Sequence, residues 1–279
     1  MENNSPTVAQ RKEMLQVNLQ QSKFYELPDT YHSAGGSLAK IWRNIRNSQN
    51  EVSNRIGVNQ DIYRLHREWM GELTGQKVLD LGCYDGNPLS FEIAQKAQSY
   101  LGIDLSEFAI GKLREELQQR GFTKARALAV DFLSPEFSET NFDLVYAHSV
   151  AHHFKYFEAF LQTLSERLAP GGKVVTLDPM QTYLPAKIAR LIYRPFQPDK
   201  DWEWPFSKQT FVQIQKYFEI EKIQGTTGNL KWAMPLAFFN KELAIRAGQR
   251  WHQNDLQKNT GLNQDLWRCL HVTMCWRKR

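Results

Sequence analysis

The sequence predicts an α/β fold with a doubly wound, mostly parallel sheet, and three observations carry that prediction. In Lys77-Val-Leu-Asp-Leu-Gly-Cys-Tyr-Asp-Gly86, a buried strand runs straight into a glycine-bearing turn. Val78, Leu79 and Leu81 supply the apolar strand, while Gly82 and Gly86 permit backbone conformations that a side chain would block. The second observation is the apolar run Ser99–Asp104, placed one strand–helix–strand unit further on. The third is a helix that stops at Ala169-Pro-Gly-Gly172, with the strand Lys173–Asp178 immediately after it. A strand, a tight glycine turn and a helix are how doubly wound sheets bring backbone against a nucleoside ligand.

Taken in order, residues 1–72 read as helices with breaks at Pro28 and Gly35-Gly36. Leu38, Ile41, Trp42 and Ile45 recur at helical spacing, as do Ile62, Leu65 and Trp69. Tyr25, Tyr31, His32 and Arg43 are cleft candidates there, each weighed against an ordinary surface or packing role. The first strand ends in the Gly82–Gly86 turn, and the second ends in Asp104, a carboxylate placed to hold a ribose diol. The Gly-x-Gly-x-x-Gly run of a pyrophosphate cradle is absent and no P-loop lysine follows, so the ligand expected is a nucleoside without a phosphate chain. A third strand, 125–132, ends in Asp131-Phe132. A fourth, 141–148, ends in His148 and is followed by Ser149-Val-Ala-His152-His153-Phe154. An amphipathic helix then reaches Leu168, and the fifth strand ends at Asp178. The stretch Pro179–Phe206 carries Tyr183, Tyr193, Arg194, Trp202 and Trp204, and its prolines argue against one continuous helix. Strands 217–223 and 270–276 close the chain, and the 229–265 stretch between them is far longer than a hairpin turn.

These segments resemble the class I S-adenosylmethionine-dependent methyltransferases. Asp80-Leu81-Gly82-Cys83-Tyr84-Asp85-Gly86 corresponds to the family's first motif, usually Asp/Glu-x-Gly-x-Gly-x-Gly, with Tyr84 standing where the middle glycine usually sits. That residue requires either a side chain directed away from the ligand or a slightly different turn. Phe142-Asp-Leu-Val145 and the His152-His153 pair resemble the subgroup that includes the ubiquinone and menaquinone C-methyltransferases, and the Pro-Gly-Gly turn is a family marker. The resemblance covers residues 75–180.

From it follow a seven-stranded Rossmann-like sheet with an antiparallel last strand beside the fifth, an N-terminal helical cap (1–72) and a core (73–279). Two insertions interrupt the core. Residues 179–206 read as a substrate lid or as a packing elaboration, and 229–265 as a homodimer contact or a wall of the pocket. S-adenosylmethionine is the implied cofactor, leaving as S-adenosylhomocysteine. The family's contacts, carried onto this chain, place Gly82, Cys83, Tyr84 and Gly86 around the methionine part and Asp80 at its amino end. Asp104 would hold the ribose hydroxyls, Leu105 would pack on adenine, Asp131 and Phe132 would frame its far side, and His148 would stand near the methyl group.

Composition fits a globular cytoplasmic enzyme. Over 279 residues, 42% hydrophobic and 23% charged content suffices for a sizeable core, and no apolar run is long enough to span a bilayer. The polar start lacks the regions of a signal peptide. Cys83, Cys269 and Cys275 are too scattered for a disulfide framework or a zinc site. The net charge of +5 is matched by residues 241–279 alone, where eight Lys/Arg face three Asp/Glu, and Arg277-Lys278-Arg279 reads as a solvated tail. No Asn-Pro-Pro-Tyr or Asp-Pro-Pro-Tyr follows the fourth strand, and no broad basic face interleaves with aromatics, so a small molecule is favoured over nucleic acid.

The implied chemistry is in-line transfer of a sulfonium methyl. The protein must align the nucleophile, exclude water and, where needed, take one proton. His148 and His152 are the candidate proton acceptors, and Asp178 would orient an imidazole or a substrate hydroxyl, or cap the loop before Pro179. Alignment without a protein base is the rival. Histidine-rich rather than carboxylate-rich surroundings argue against a magnesium site, so no metal is expected. The function expected is methylation of a small metabolite at a hydroxyl or carboxylate oxygen. Carbon or nitrogen acceptors stand behind it, and a non-methylating cofactor-binding protein is the alternative class.

Overall fold

The computed structural model describes residues 8–26, 37–196 and 200–279. The breaks expected at Pro28 and Gly35-Gly36, the candidates Tyr31 and His32, and the side chains of Tyr25 and Arg43 lie outside the described residues.

Among the described residues, three helices precede the sheet: α1 (Val8–Tyr25), α2 (Ser37–Ile56) and α3 (Val58–Met70). Strands and helices then alternate as β1 (Lys77–Leu81), α4 (Pro88–Lys96), β2 (Ser99–Asp104), α5 (Glu107–Gln119) and β3 (Ala125–Ala129). The second half runs β4 (Phe142–His148), α6 (Phe157–Arg167), β5 (Leu168–Pro179), α7 (Leu184–Tyr193), α8 (Lys208–Tyr217) and β6 (Phe218–Thr226). The short α9 (Ala233–Ala237), α10 (Lys241–Lys258) and β7 (His271–Lys278) complete it.

The strands form one seven-stranded sheet in the order β3-β2-β1-β4-β5-β7-β6. β7 is antiparallel to both β5 and β6, and the other pairings are parallel. The expected sheet, with its last strand inserted beside the fifth, is therefore present. The order of connection reverses between β1 and β4, which opens a crevice at their carboxyl ends.

Local chemistry sets the helices that flank this crevice. Asn87 caps α4, its Oδ1 accepting from the backbone N–H groups of Leu89 (2.9 Å) and Ser90 (3.0 Å), and Pro88 opens the helix where its missing N–H costs nothing. Ser106 caps α5 by accepting from the Ala109 N–H at 3.2 Å. Central strands are buried on both faces. Leu79, Leu81 and Val145 join a core with Phe160 and Phe218, while Val78 and Leu144 join Leu89, Ile93 and Leu113 on the other side.

β5 begins earlier than the sequence suggests, at Leu168 rather than Lys173. Gly171, at φ +70°, lets the Pro-Gly-Gly turn remain in the sheet as an irregularity opposite β4, so Phe142 pairs with Leu168 and Leu144 with Lys173. The long β6–β7 connection folds as α9 and α10. It is locked by Asp255, whose carboxylate accepts from the N–H groups of Asn229 (2.7 Å) and Leu230 (3.0 Å). α10 is joined to α3 through His252 Nε2 and Asp61 Oδ2, 3.1 Å apart.

Candidate active site

A cavity of about 430 Å³ lies at the carboxyl ends of β1, β2 and β4, with α1 across it. Its wall includes Leu81, Gly82 and Tyr84 after β1, Asp104 and Leu105 after β2, Val130, Asp131 and Phe132 after β3, and His148, Ser149 and Val150 after β4. His153 and Phe154 complete that edge, and α1 contributes Asn18 and Gln21. Two lining residues that are not glycine, Tyr84 (φ 49°) and Ser149 (φ 61°), hold left-handed backbone, as turns built around ligand sites often require.

Asp104 organises the turn. Its Oδ2 accepts from the Tyr84 N–H at 3.0 Å and its Oδ1 from the Ser106 N–H at 2.9 Å. Burial raises its pKa and the backbone N–H groups oppose that rise. Tyr84 thus adopts the conformation that a glycine would take here, and its partly exposed ring stands at the rim of the cavity. The turn keeps a glycine-like geometry at this position, and the Tyr84 side chain is part of the cavity wall.

Gly82 is fixed by Val150. A Cβ on Gly82 would lie 2.3 Å from Val150 Cγ2 and 2.7 Å from its Cβ, and Gly82 sits at φ +66°. Gly82→Ala is expected to cost about 2–4 kcal/mol, combining left-handed strain with overpacking. Thermal denaturation should show a midpoint lower by roughly 4–15 °C, partly restored by adding Val150→Ala.

Asp131 Oδ2 accepts from Asn18 Nδ2 at 2.7 Å and Oδ1 from the Leu133 N–H at 2.9 Å. Ser22 of α1 donates from Oγ to the Leu105 carbonyl at 2.9 Å, and Glu13 pairs with Lys155 and Tyr156. α1 is therefore pinned across the cavity at three places. Gln21 Nε2 is buried there without a hydrogen-bond partner among the described residues. Sequence reasoning missed Asn18 and Gln21, because an Asn and a Gln in a polar helix give no motif to find.

Three cofactor candidates stand off the wall. Asp80 is buried beneath the turn, accepts from the Tyr100 hydroxyl at 2.8 Å, and is pushed up to about 7 by burial. Cys83 is buried against the turn, and Gly86 borders a separate surface depression with Asp85 and Phe91. The other seven candidates line the cavity: Gly82, Tyr84, Asp104, Leu105, Asp131, Phe132 and His148.

The histidines separate in the same way. His148 lines the cavity among the rings of Tyr63, His66 and Tyr146, whose centroids lie 5.7, 5.9 and 6.0 Å away. Burial lowers its pKa to about 4, so it is neutral at ordinary pH. His66 Nε2 lies 2.6 Å from Thr273 Oγ1, and that hydroxyl donates to the Thr176 carbonyl at 2.7 Å. The hydroxyl's one proton being used, it accepts from His66, which places the His66 proton on Nε2.

His152 faces away from the cavity wall, with Nδ1 2.9 Å from Asp178 Oδ1, and the same oxygen accepts the His152 backbone N–H at 3.0 Å. Burial raises Asp178 and lowers His152, so both charges are disfavoured and one proton is shared across the pair. Asp178 thus holds the His152 imidazole. His153 turns to the cavity instead, its Nδ1 donating to the Trp202 carbonyl at 2.8 Å, and the Trp204 N–H donates to the His152 carbonyl at 2.8 Å. None of the described cavity-lining residues comes from the 179–206 stretch, which braces this histidine loop through Trp202 and Trp204.

The donor set fits S-adenosylmethionine. Among the described residues, the lining offers two carboxylates, Asp104 and Asp131, flat apolar walls at Leu105, Val130 and Phe132, and no lysine or arginine. A nucleoside bearing a sulfonium charge meets acids here.

Residues 79–174 match the family model of a methyltransferase domain. The chain is 33% identical over 107 residues to a ubiquinone biosynthesis O-methyltransferase of Leptothrix cholodnii, covering 38% of this chain and 45% of that protein. It is 25% identical over 130 residues to 24-methylenesterol C-methyltransferase 2 of Oryza sativa subsp. japonica, covering 45% of this chain and 36% of that one. The chain thus spans less than half the length of these curated relatives. Among solved structures it resembles the N-methyltransferase NodS from Bradyrhizobium japonicum in complex with S-adenosylhomocysteine, with a TM-score of 0.50 and 12% identity over 94% of this chain and 98% of that one. Residues 79–174 are thus a methyltransferase domain built on the β3-β2-β1-β4-β5-β7-β6 sheet, and the chain resembles the class I S-adenosylmethionine-dependent methyltransferases.

Proposed function

We propose that this protein methylates the oxygen of a small molecule, a hydroxyl or carboxylate, using S-adenosylmethionine. The observation that carries the reading is a cavity with Asp104 at one end, two histidines, His148 and His153, at the β4 edge, and no lysine or arginine among the described lining residues. S-adenosylmethionine supplies, when bound, a methyl group made electrophilic by its positive sulfur. Asp104 and Asp131 hold its nucleoside, and Gly82 lets Val150 pack against the turn. His148, neutral because burial lowers it to about 4, takes the proton of an acceptor hydroxyl. His153, whose proton is held on Nδ1 by the Trp202 carbonyl, presents Nε2 as its basic nitrogen. The His152–Asp178 pair fixes the loop on which His153 stands. α1 covers the cavity and excludes water.

A carbon acceptor is the second reading, supported by the C-methyltransferase among the relatives and by the apolar wall at Val130, Phe132 and Phe154. Incubation with methyl-labelled cofactor and a small-molecule extract tests both. Label should appear in a metabolite whose methyl is carried on oxygen. Label on carbon selects the second reading, and cofactor binding without any labelled metabolite rejects both.

A further inference from the structure

The cavity wall contains a polar side chain that the protein itself does not satisfy. Asn18 and Gln21 line the cavity from successive turns of α1 and are buried, at 9% and 4% exposure. Asn18 is committed to Asp131. Gln21 Nε2 has no hydrogen-bond partner among the described residues. Burying an unpaired amide is costly, and in the wall of a binding cavity a ligand can supply the missing bond.

The bonds on either side fix where along the cavity Gln21 meets that ligand. Asn18 reaches Asp131, after β3, at 2.7 Å, and Ser22 reaches the Leu105 carbonyl, after β2, at 2.9 Å. Residues 18, 21 and 22 share one face of the helix. Gln21 therefore lies over the ends of β2 and β3, where Leu105, Val130 and Phe132 make the flat apolar walls. The histidine edge is served by the other end of α1. Glu13, bonded to Lys155 and Tyr156 beyond β4, stands about 12 Å back along the helix from Gln21. A flat ring between the apolar walls is a base rather than a methyl acceptor. A primary amide carries a donor and an acceptor side by side, which complements the amino group and neighbouring ring nitrogen on an edge of adenine. A half-turn of the amide exchanges its oxygen and nitrogen, so either orientation of the base can be matched.

We propose that Gln21 is the residue by which α1 reads the base of the cofactor, pairing its side-chain amide with the amino group and adjoining ring nitrogen of adenine. The proposal rests on the nucleoside of S-adenosylmethionine occupying this cavity, and its test separates the two.

Titration calorimetry with S-adenosylhomocysteine, and with its analogue lacking the adenine amino group, is performed on the native chain, Gln21→Met and Asp104→Ala. Methionine keeps the length and helix-forming character of glutamine. Gln21→Met is expected to bind S-adenosylhomocysteine roughly tenfold more weakly and to lose less than that for the analogue. Its ligand-free thermal midpoint should not fall, because an apolar chain replaces an unpaired buried amide. Native affinity in Gln21→Met, with Asp104→Ala weakened, would overturn this inference alone. An equal loss for both ligands would overturn it as well, since it marks lost packing rather than a lost contact with the amino group. So would a lower ligand-free midpoint, which marks a bond within the protein. A native chain that binds no S-adenosylhomocysteine would overturn the cofactor reading and this inference with it.

Discussion

Replacing His148 with phenylalanine is expected to lower kcat by roughly 10²–10⁴-fold, the usual contribution of a positioned general base. Cofactor affinity should change little, because phenylalanine keeps a flat ring among Tyr63, His66 and Tyr146. The pH profile separates proton transfer from loss of packing. His148 must be neutral to accept a proton, and burial lowers its pKa to about 4. Activity should therefore stay level as pH falls through 6.5, the ordinary histidine value, and decline only towards about 4. An acid limb centred near 6.5 would show that an unburied histidine does this work. A kcat unchanged in the phenylalanine variant would show that alignment alone drives the transfer.

Asp104→Ala is expected to weaken binding of S-adenosylhomocysteine by roughly 10²–10³-fold, as read by titration calorimetry, through loss of charge-assisted hydrogen bonds. The effect has two sources. The ribose loses its acceptor, and the Tyr84 and Ser106 N–H groups lose theirs, which loosens the turn that shapes the cavity. Asp104→Asn retains one acceptor oxygen and should fall between the two. Affinity in the alanine variant equal to that of the native protein would remove Asp104 from the cofactor site.

Much of the core was legible because it depends on local rules. The strand ending at Leu81, the turn after it and the carboxylate closing β2 are neighbours in sequence or one crossover apart, so pattern alone brings them together. Residue type did not reveal orientation. Asp80 and Asp104 look alike as strand-end acids, yet Asp80 points to the Tyr100 hydroxyl beneath the sheet and Asp104 to the cavity. His152 and His153 are adjacent and their ring centroids lie only 4.2 Å apart, yet the first bonds Asp178 and the second lines the cavity. Asn18, 113 positions from its partner Asp131, could not be found from spacing at all. The extra pairing of β5 at Leu168 was hidden for another reason: Pro170-Gly171-Gly172 reads as a turn and is one, but a turn that stays in the sheet.

A crystal structure of the protein with S-adenosylhomocysteine tests the central claim most directly. The ribose hydroxyls are predicted at Asp104, the adenine between Leu105 and Phe132, and the thioether end towards His148. Nucleoside density elsewhere, or a sulfur remote from both His148 and His153, would contradict it.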